Sequence, residues 1–99
     1  MPEQSKIDAV RSYLRTNFPQ HDITDKSRGA GAHDFTISRA GVSYKMTVKG
    51  IFLDDHQPEE IGSLLHRWQL ERELRKSETA GVIVGNGGLS HAWPEVPHP

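Results

Sequence analysis

Two runs of alternating apolar and polar residues lie on either side of Ala40-Gly41 and predict a β-hairpin. Successive side chains of a strand point to opposite faces, so this alternation gives the hairpin one apolar face and one polar face. We expect amphipathic helices to cover the apolar face. The apolar positions are Phe35 and Ile37 in the first run and Val42, Tyr44, Met46 and Val48 in the second.

The polar face of the hairpin is the first candidate binding surface. It carries hydroxyl groups, Asp34, Lys45 and Lys49. The two lysines lie on the same side of one strand and can follow a phosphate backbone, so nucleic acid is one candidate ligand. Exposed strands also carry lysine to discourage edge pairing, and that simpler interpretation stays open.

A first amphipathic helix is predicted before the hairpin. Ser5 with Asp8 three positions later gives the spacing of a capping box, and Pro19 ends the helical pattern. Arg11 and Arg15 lie near or beyond the edges of the apolar face, where we expect them to be solvated. That face consists of Ile7, Val10, Leu14 and Phe18.

A second helix is predicted from Pro58 to about Lys76, because proline is tolerated in a first helical turn and the following glutamates favour its positive end. At about 100° per residue, Leu70 and Leu74 fall nearly opposite the main apolar stripe. We expect these two leucines to form a self-association or partner surface. The alternative is that they pack against the last strand or the first helix. The main stripe, expected in the core, is Ile61, Leu64, Leu65 and Trp68.

Two further strands complete the predicted order. Residues 21–27 form at best a short edge strand, and residues 82–84 fit a buried final strand. The order αβββαβ indicates a single α+β domain with an antiparallel sheet and two helices packed on one face. The glycine-rich residues 85–88 precede no helix, so they predict a plain turn rather than a phosphate loop. The domain is expected to span residues 1–89, followed by a flexible, proline-rich tail at 90–99.

Composition narrows the possible functions. Twelve basic and thirteen acidic residues give a formal net charge of −1, so no general attraction to nucleic acid or anionic membranes is expected. The absence of cysteine excludes disulfides, thiolate catalysis and sulfur-based metal sites. No apolar run approaches the length of a membrane span, so we expect a cytoplasmic protein with no membrane contact. No nucleophile with an adjacent base is visible, and we predict neither a catalytic residue nor a cofactor.

Two groups of potential metal ligands occur, His33-Asp34 and Asp54-Asp55-His56. Carboxylate oxygens and imidazole nitrogens both bind divalent ions. Adjacent residues of a strand point to opposite faces, however, so His33 and Asp34 cannot chelate one ion together. We therefore predict no metal site, with Asp54 or Asp55 capping the second helix and the histidines solvated.

The order αβββαβ resembles the core of the PD-(D/E)xK nuclease superfamily. That family would place an acidic residue near the start of the second strand, which matches Asp34, and an acid-x-lysine motif on the third strand. Lys45 and Lys49 stand on that strand, but Ser43 and Thr47 occupy the acidic positions. A metal that activates water lacks one protein ligand in this arrangement, so the resemblance implies a vestigial domain without metal-dependent nuclease activity.

Two other resemblances concern the second helix. The first five elements resemble double-stranded RNA-binding domains, in which lysines at the start of that helix lie on phosphates. In this chain the start of that helix is acidic, and its negative charge repels the phosphates of the RNA duplex. The stretch FLDDHQPEEIGSLLHRWQLERELR is similar to short uncharacterised bacterial proteins, which implies a bacterial source but no particular activity.

Two functions are expected from the sequence. The first is a non-catalytic binding or regulatory module that contacts a protein, either another protein or a second copy, through Leu70 and Leu74. The second is a nucleic-acid-binding or vestigial nuclease-like domain that uses Lys45 and Lys49. A small-molecule enzyme ranks last, because no catalytic set is assembled in the sequence.

Overall fold

A computed structural model describes residues 4–29, 31–77 and 81–91. The helices are α1 (Gln4–Asn17), α2 (Gly50–Asp55), α3 (Pro58–Arg67) and α4 (Leu70–Ser77). The strands are β1 (Asp22–Gly29), β2 (Ala32–Arg39), β3 (Val42–Val48), β4 (Val82–Gly85) and β5 (Gly88–His91). The predicted α+β class is confirmed, and the observed order of elements is αβββαααββ.

The strands form one sheet in the order β1-β2-β3-β4-β5. The predicted β2–β3 hairpin is present, and both turn residues have positive φ, 53° at Ala40 and 86° at Gly41, as a two-residue type I′ turn requires. The expected antiparallel sheet needs one correction, because β3 and β4 pair in parallel. A parallel pair requires a crossover connection, and α2, α3 and α4 provide it.

The described helices all contribute to one core on the same face of the sheet. The predicted apolar face of α1 is buried, as are Ile61 and Leu65 of α3. Leu64 and Trp68, also predicted as core, are partly buried against it. Helices that share one face leave the opposite face of the sheet uncovered. The strand residues in the core are Phe35, Ile37, Met46, Val48, Val82 and Val84.

Helix α2 lies between β3 and α3, and the sequence analysis did not predict it. Phe52 and Leu53 are fully buried, whereas Ile51 between β3 and these residues is 58% exposed. The backbone N–H of Lys49 donates to the Val84 carbonyl at 2.9 Å, which continues the β3–β4 pairing up to the start of α2. The short helix therefore closes one end of the core directly after the central strand.

The predicted second helix is two helices, α3 and α4, because the helix is interrupted at Trp68 and Gln69. Trp68 is the C-cap of α3, and Gln69 has a φ of 57°, in the left-handed region. A residue in this conformation ends a helix and redirects the chain, and glycine usually occupies the position. Helix α4 begins at Leu70, directly after this break.

Leu70 and Leu74 are both fully buried. The expectation that they face away from the sheet is wrong, and they are not accessible as a self-association or partner surface. The expectation assumed one straight helix, in which these leucines oppose the main stripe. The break turns α4 so that both leucines reach the core, where α4 packs on β3 and β4.

The start of α1 differs from its predicted cap. The helix includes Gln4, so Ser5 lies within it rather than at the N-cap. Asp8 accepts hydrogen bonds from Gln4 and from Arg11, at 3.1 and 2.7 Å, and so does not complete the predicted capping box. The helix ends just before Pro19, as predicted.

The start of α3 is at Pro58, as predicted, but its cap is Gln57. Gln57 and Glu60 form a capping box in which each side chain accepts from the backbone of the other residue. The expected cap by Asp54 or Asp55 is therefore wrong, and both residues belong to α2.

A fifth strand follows the predicted final strand. The glycine-rich segment forms a plain turn at Asn86 and Gly87, as predicted, and the chain returns as β5. Because β5 extends to His91, the domain boundary expected after residue 89 falls inside this strand. The rest of the predicted tail, residues 92–99, lies outside the described residues. In the described ranges, no helix is long and apolar enough to cross a membrane.

Contacts with Tyr13 of α1 and with Phe18, the residue that follows this helix, hold α4 in place. The backbone N–H of Glu71 donates to the Tyr13 hydroxyl at 3.1 Å, so a side chain of α1 satisfies an amide in the first turn of α4. Burial raises the pKa of Tyr13 above its ordinary value, which keeps this hydroxyl neutral. The Arg75 guanidinium lies 4.6 Å from the centre of the Phe18 ring, within the range of a cation–π contact.

Replacing Leu74 by alanine is expected to lower the free energy of unfolding by about 3 kcal/mol, because the substitution empties a fully buried site. Urea unfolding monitored by circular dichroism measures the change. Ile51→Ala is the matched control, since it shortens an exposed aliphatic side chain and is expected to cost less than about 1 kcal/mol. Equal losses in the two variants would contradict the inward position of α4.

Gln69→Gly is expected to raise the free energy of unfolding by about 0.5–1 kcal/mol, because glycine adopts a left-handed φ without the steric cost of a Cβ atom. Arg67→Gly, inside α3, is expected to change the same quantity in the opposite direction by about 1 kcal/mol. Thermal and urea unfolding of the two variants test this reversal of sign. A loss of stability in Gln69→Gly would show that the break is not strained.

Candidate functional site

The helices leave the face of the sheet opposite the core uncovered, and we call it the open face. Antiparallel strands commonly pack one face and expose the other, and the side chains here alternate accordingly. The open face is polar apart from Ile83. Its members, placed by the strand register, are Asp22, Thr24, Lys26, Asp34, Thr36, Ser38, Ser43, Lys45, Thr47, Ile83 and Ser90.

The two lysines singled out from the sequence lie at this surface. Lys45 is exposed on β3, directly opposite Thr36. Lys49 follows β3 and is also exposed, and its aliphatic stem passes Gly85, where a Cβ atom would meet the Lys49 Cδ at 3.5 Å. Four residues of strand separate the two Cα atoms by about 13 Å. The structure thus brings both residues to one side of the sheet, as predicted.

Lys26 is a third cation of the open face that the sequence did not single out. It lies on β1 opposite Asp34, which in turn lies opposite Thr47 of β3. Neighbouring strands are about 4.8 Å apart, so the backbone of Lys26 is about 10 Å from that of β3. Among the described residues, Lys26, Lys45 and Lys49 take part in no ion pair, which leaves their charges available to a ligand.

Asp34 lies between these lysines, but its carboxylate is already engaged. The Thr47 hydroxyl donates to it at 2.6 Å, and Arg28 forms an ion pair with it at 3.3 Å. Asp34 is the acid that the nuclease resemblance places near the start of the second strand. Thr47, which stands where the resemblance would require the second acid, here serves as a hydrogen-bond donor to the first.

A shallow depression of about 300 Å³ lies on the open face beside β1. Both hydroxyl and charged groups border it, so its chemistry is mixed rather than strongly anionic or cationic. A depression of this kind can accept a polar side chain of a partner more readily than an apolar one. The lining residues are Thr24, Asp25, Lys26, Asp34 and Thr36.

A second group of charged residues lies on the core side of the sheet edge. Asp25 of β1 accepts two hydrogen bonds, one from the Arg11 guanidinium at 2.7 Å and one from His33 Nε2 at 2.5 Å. An ionised carboxylate only accepts hydrogen bonds, so Nε2 of His33 carries the proton. Arg11 also contacts Asp8 within α1. The cluster therefore joins α1, β1 and β2, and the expectation that Arg11 is merely solvated is corrected.

The electrostatics of this cluster favour a charged Asp25. Burial by itself raises the pKa of this carboxyl group, but the hydrogen bonds from His33 and Arg11 and their positive charge outweigh burial and hold the pKa below its ordinary value. A histidine oriented by a carboxylate is half of a catalytic arrangement. His33, however, is only 8% exposed and packs on the Phe35 ring, so the described contacts assign the cluster to holding the edge strand.

Two of the three other potential metal ligands, His56 and Asp55, are engaged in hydrogen bonds. His56 Nδ1 donates to the Phe52 carbonyl at 2.8 Å, and Asp55 accepts from the Asn86 side chain at 2.7 Å. His33 and Asp34 lie on opposite faces of β2, as predicted, although His33 is buried rather than solvated. Within the described ranges, no three histidine or acidic side chains are grouped so as to hold a metal ion.

A groove of about 560 Å³ runs between α1 and α3. It is lined mainly by small and polar residues, among them Ala9, Ser12, Gly62 and Ser63, with Tyr13 at one end. Small side chains at facing positions allow the two helices to approach each other closely. None of the charged residues of the open face borders this groove, which makes it a separate feature.

The chain has no match among models of known protein families, among curated proteins or among solved structures. The site is therefore interpreted from its own chemistry.

Asp25→Asn is expected to lower the free energy of unfolding near neutral pH by about 2 kcal/mol, because it removes a charge that two donors satisfy. The lowered pKa of Asp25 means that its contribution is present above the carboxyl pKa of the unfolded chain and is lost as the pH falls through the folded value. Urea unfolding from neutral to acidic pH measures both effects.

Asp22→Asn is the matched control for this prediction, since Asp22 is an exposed acid of the same strand. It is expected to leave stability at neutral pH nearly unchanged. The difference in stability between wild type and Asp25→Asn is expected to shrink at acidic pH. A difference that stays constant at all pH values would contradict the ionised state of Asp25.

Proposed function

We propose that this chain is a non-catalytic binding module and that it contacts a protein partner through the open face of its sheet. The observation that carries the proposal is the position of the helices, which all share the opposite face. The open face is thereby left uncovered by the helices, and it presents hydroxyl groups and lysines that form no ion pair with a described residue. A surface of this type fits a polar contact that forms and dissociates rather than a permanent apolar interface.

The small number of exposed hydrophobic residues in the described ranges also supports the proposal. The leucines of the helices are used in the core, and the large hydrophobic residues exposed in the described ranges are Val42 and Ile51. Single exposed apolar residues are ordinary in soluble domains, and two separated ones do not form a patch. An apolar docking site on the helices therefore has no support among the described residues.

The chemistry of the open face favours an acidic partner. Lys26, Lys45 and Lys49 project from it without an ion pair to any described residue, whereas the acid between them, Asp34, is neutralised by its own contacts. The surrounding hydroxyl groups can donate to carboxylates as well as accept from amides. We propose an acidic protein segment as the partner, within a cytoplasmic setting in a bacterial cell.

Nucleic acid is the second candidate, and the specific observation that favours it is the pair Lys45 and Lys49. Their spacing along the central strand of the open face suits contacts to a phosphate backbone. The open face has no aromatic side chain among its described members, so base stacking is not part of this candidate. Binding would then depend steeply on salt and little on sequence.

A Lys45→Glu, Lys49→Glu double variant is expected to lose at least about tenfold in affinity for the partner, because two favourable charge contacts become repulsive. The control is Arg15→Glu with Arg67→Glu, which changes the net charge equally at exposed positions of α1 and α3. All three proteins are used to capture partners from a bacterial lysate, with and without nuclease, followed by mass spectrometry and titration of the captured protein.

A protein captured by wild type and by the control, but not by the open-face variant, supports the proposal when nuclease leaves the capture unchanged. Capture that disappears after nuclease treatment supports the nucleic-acid candidate instead. Equal capture by the open-face variant and wild type would contradict both. Circular dichroism and unfolding curves confirm that the variants are folded.

A further inference from the structure

Strand β1 is an outer edge of the sheet, and its outer side pairs with no described strand. It is eight residues long and contains no proline, and its pairing with β2 is regular from Asp22 to Ser27. Proteins usually protect such an edge by shortening it, by interrupting it with proline or a bulge, or by placing charged side chains on it. On β1 the register shifts only at its end, between Ser27 and Gly29, so the stretch before it remains available for pairing. The opposite edge follows that rule, since β5 has only four residues and begins with glycine.

The charges along β1 change sign from one end to the other. On the open face, Asp22 lies at the start of the strand, Thr24 in the middle and Lys26 towards the end. An antiparallel copy of the same strand presents these residues in reverse order. Opposite charges then face each other at both ends, whereas parallel copies would place like charges side by side.

We infer that two copies of this chain pair through β1 in antiparallel orientation, centred on Thr24. In this register Asp22 of each copy lies opposite Lys26 of the other, and the two Thr24 side chains face each other. Opposite charges and threonine pairs directly across strands are both stabilising. Centring the pair on Asp25 instead would place two carboxylates opposite each other, which is unfavourable.

The cluster of Asp25, Arg11 and His33 on the core side of the sheet makes β1 suitable for pairing with a second copy. Arg11 and His33 hold Asp25 towards the domain, so this acid is compensated and the strand is fixed to α1 and β2. Lys26 alone would discourage edge pairing, but antiparallel self-pairing supplies it with a carboxylate. The two-fold axis stands perpendicular to the sheet, so both open faces lie on the same side of one continuous sheet.

Charge exchange tests the register. Asp22→Lys and Lys26→Asp each place like charges together and are expected to shift the protein from a dimer to a monomer in analytical ultracentrifugation. The double variant Asp22→Lys with Lys26→Asp restores opposite pairs and is expected to restore the dimer. A wild-type protein that stays monomeric at millimolar concentration overturns the inference, as does a double variant that stays monomeric while wild type dimerises.

A single introduced thiol tests the centre of the pairing independently. The chain has no cysteine, so Thr24→Cys carries one thiol, and two such residues facing each other lie within the Cα separation that a disulfide spans. Mild oxidation is expected to yield a disulfide-linked dimer for Thr24→Cys and little for Ser43→Cys, an exposed position of the same face away from the edge. Equal crosslinking at both positions overturns the proposed register.

Discussion

The supply of apolar side chains is the constraint on which this fold depends. Hydrophobic residues make up 34% of the chain, and the described ones that are buried form a single cluster between the helices and one face of the sheet. A second layer on the other face would require further apolar residues, and the strands place hydroxyls, lysines and acids there instead. Because every helix must reach the same core, the chain after α3 has to turn, which places Gln69 in a left-handed conformation.

The sequence predicted those parts of the fold that depend on neighbouring residues. The alternation on either side of Ala40-Gly41 located the hairpin, and the apolar spacing of α1 located its buried face, because both patterns are local. The break between α3 and α4 escaped prediction, since its left-handed residue is glutamine rather than glycine. That single residue reverses the positions of Leu70 and Leu74, and a helical wheel drawn through the break placed them on the wrong side.

The residues of the candidate site also fall into those that the sequence could predict and those that it could not. Lys45 and Lys49 were predictable because alternation within one strand sets the face of each residue. Asp25, Arg11 and His33 were not, because their contacts require the register of β1 against β2 and the position of α1 above both strands. One feature of the sequence does point to this cluster. Asp25 stands two residues after Ile23, so its side chain lies on the core side of β1, where an acid requires a partner.

The formal net charge of −1 hides a separation of charge that the fold creates. Helices α2, α3 and α4 carry six acidic and four basic residues, whereas the open face carries three lysines, Lys26, Lys45 and Lys49, against two acids, Asp22 and Asp34. Electrostatic attraction acts over about 10 Å at moderate salt, which is less than the 24 Å of the domain's shortest extent. A partner at the open face therefore experiences mainly the charges of that face, where lysine is in slight excess, while the charges of the helices on the far side contribute little. A near-neutral composition is thus compatible with a surface that selects an acidic ligand.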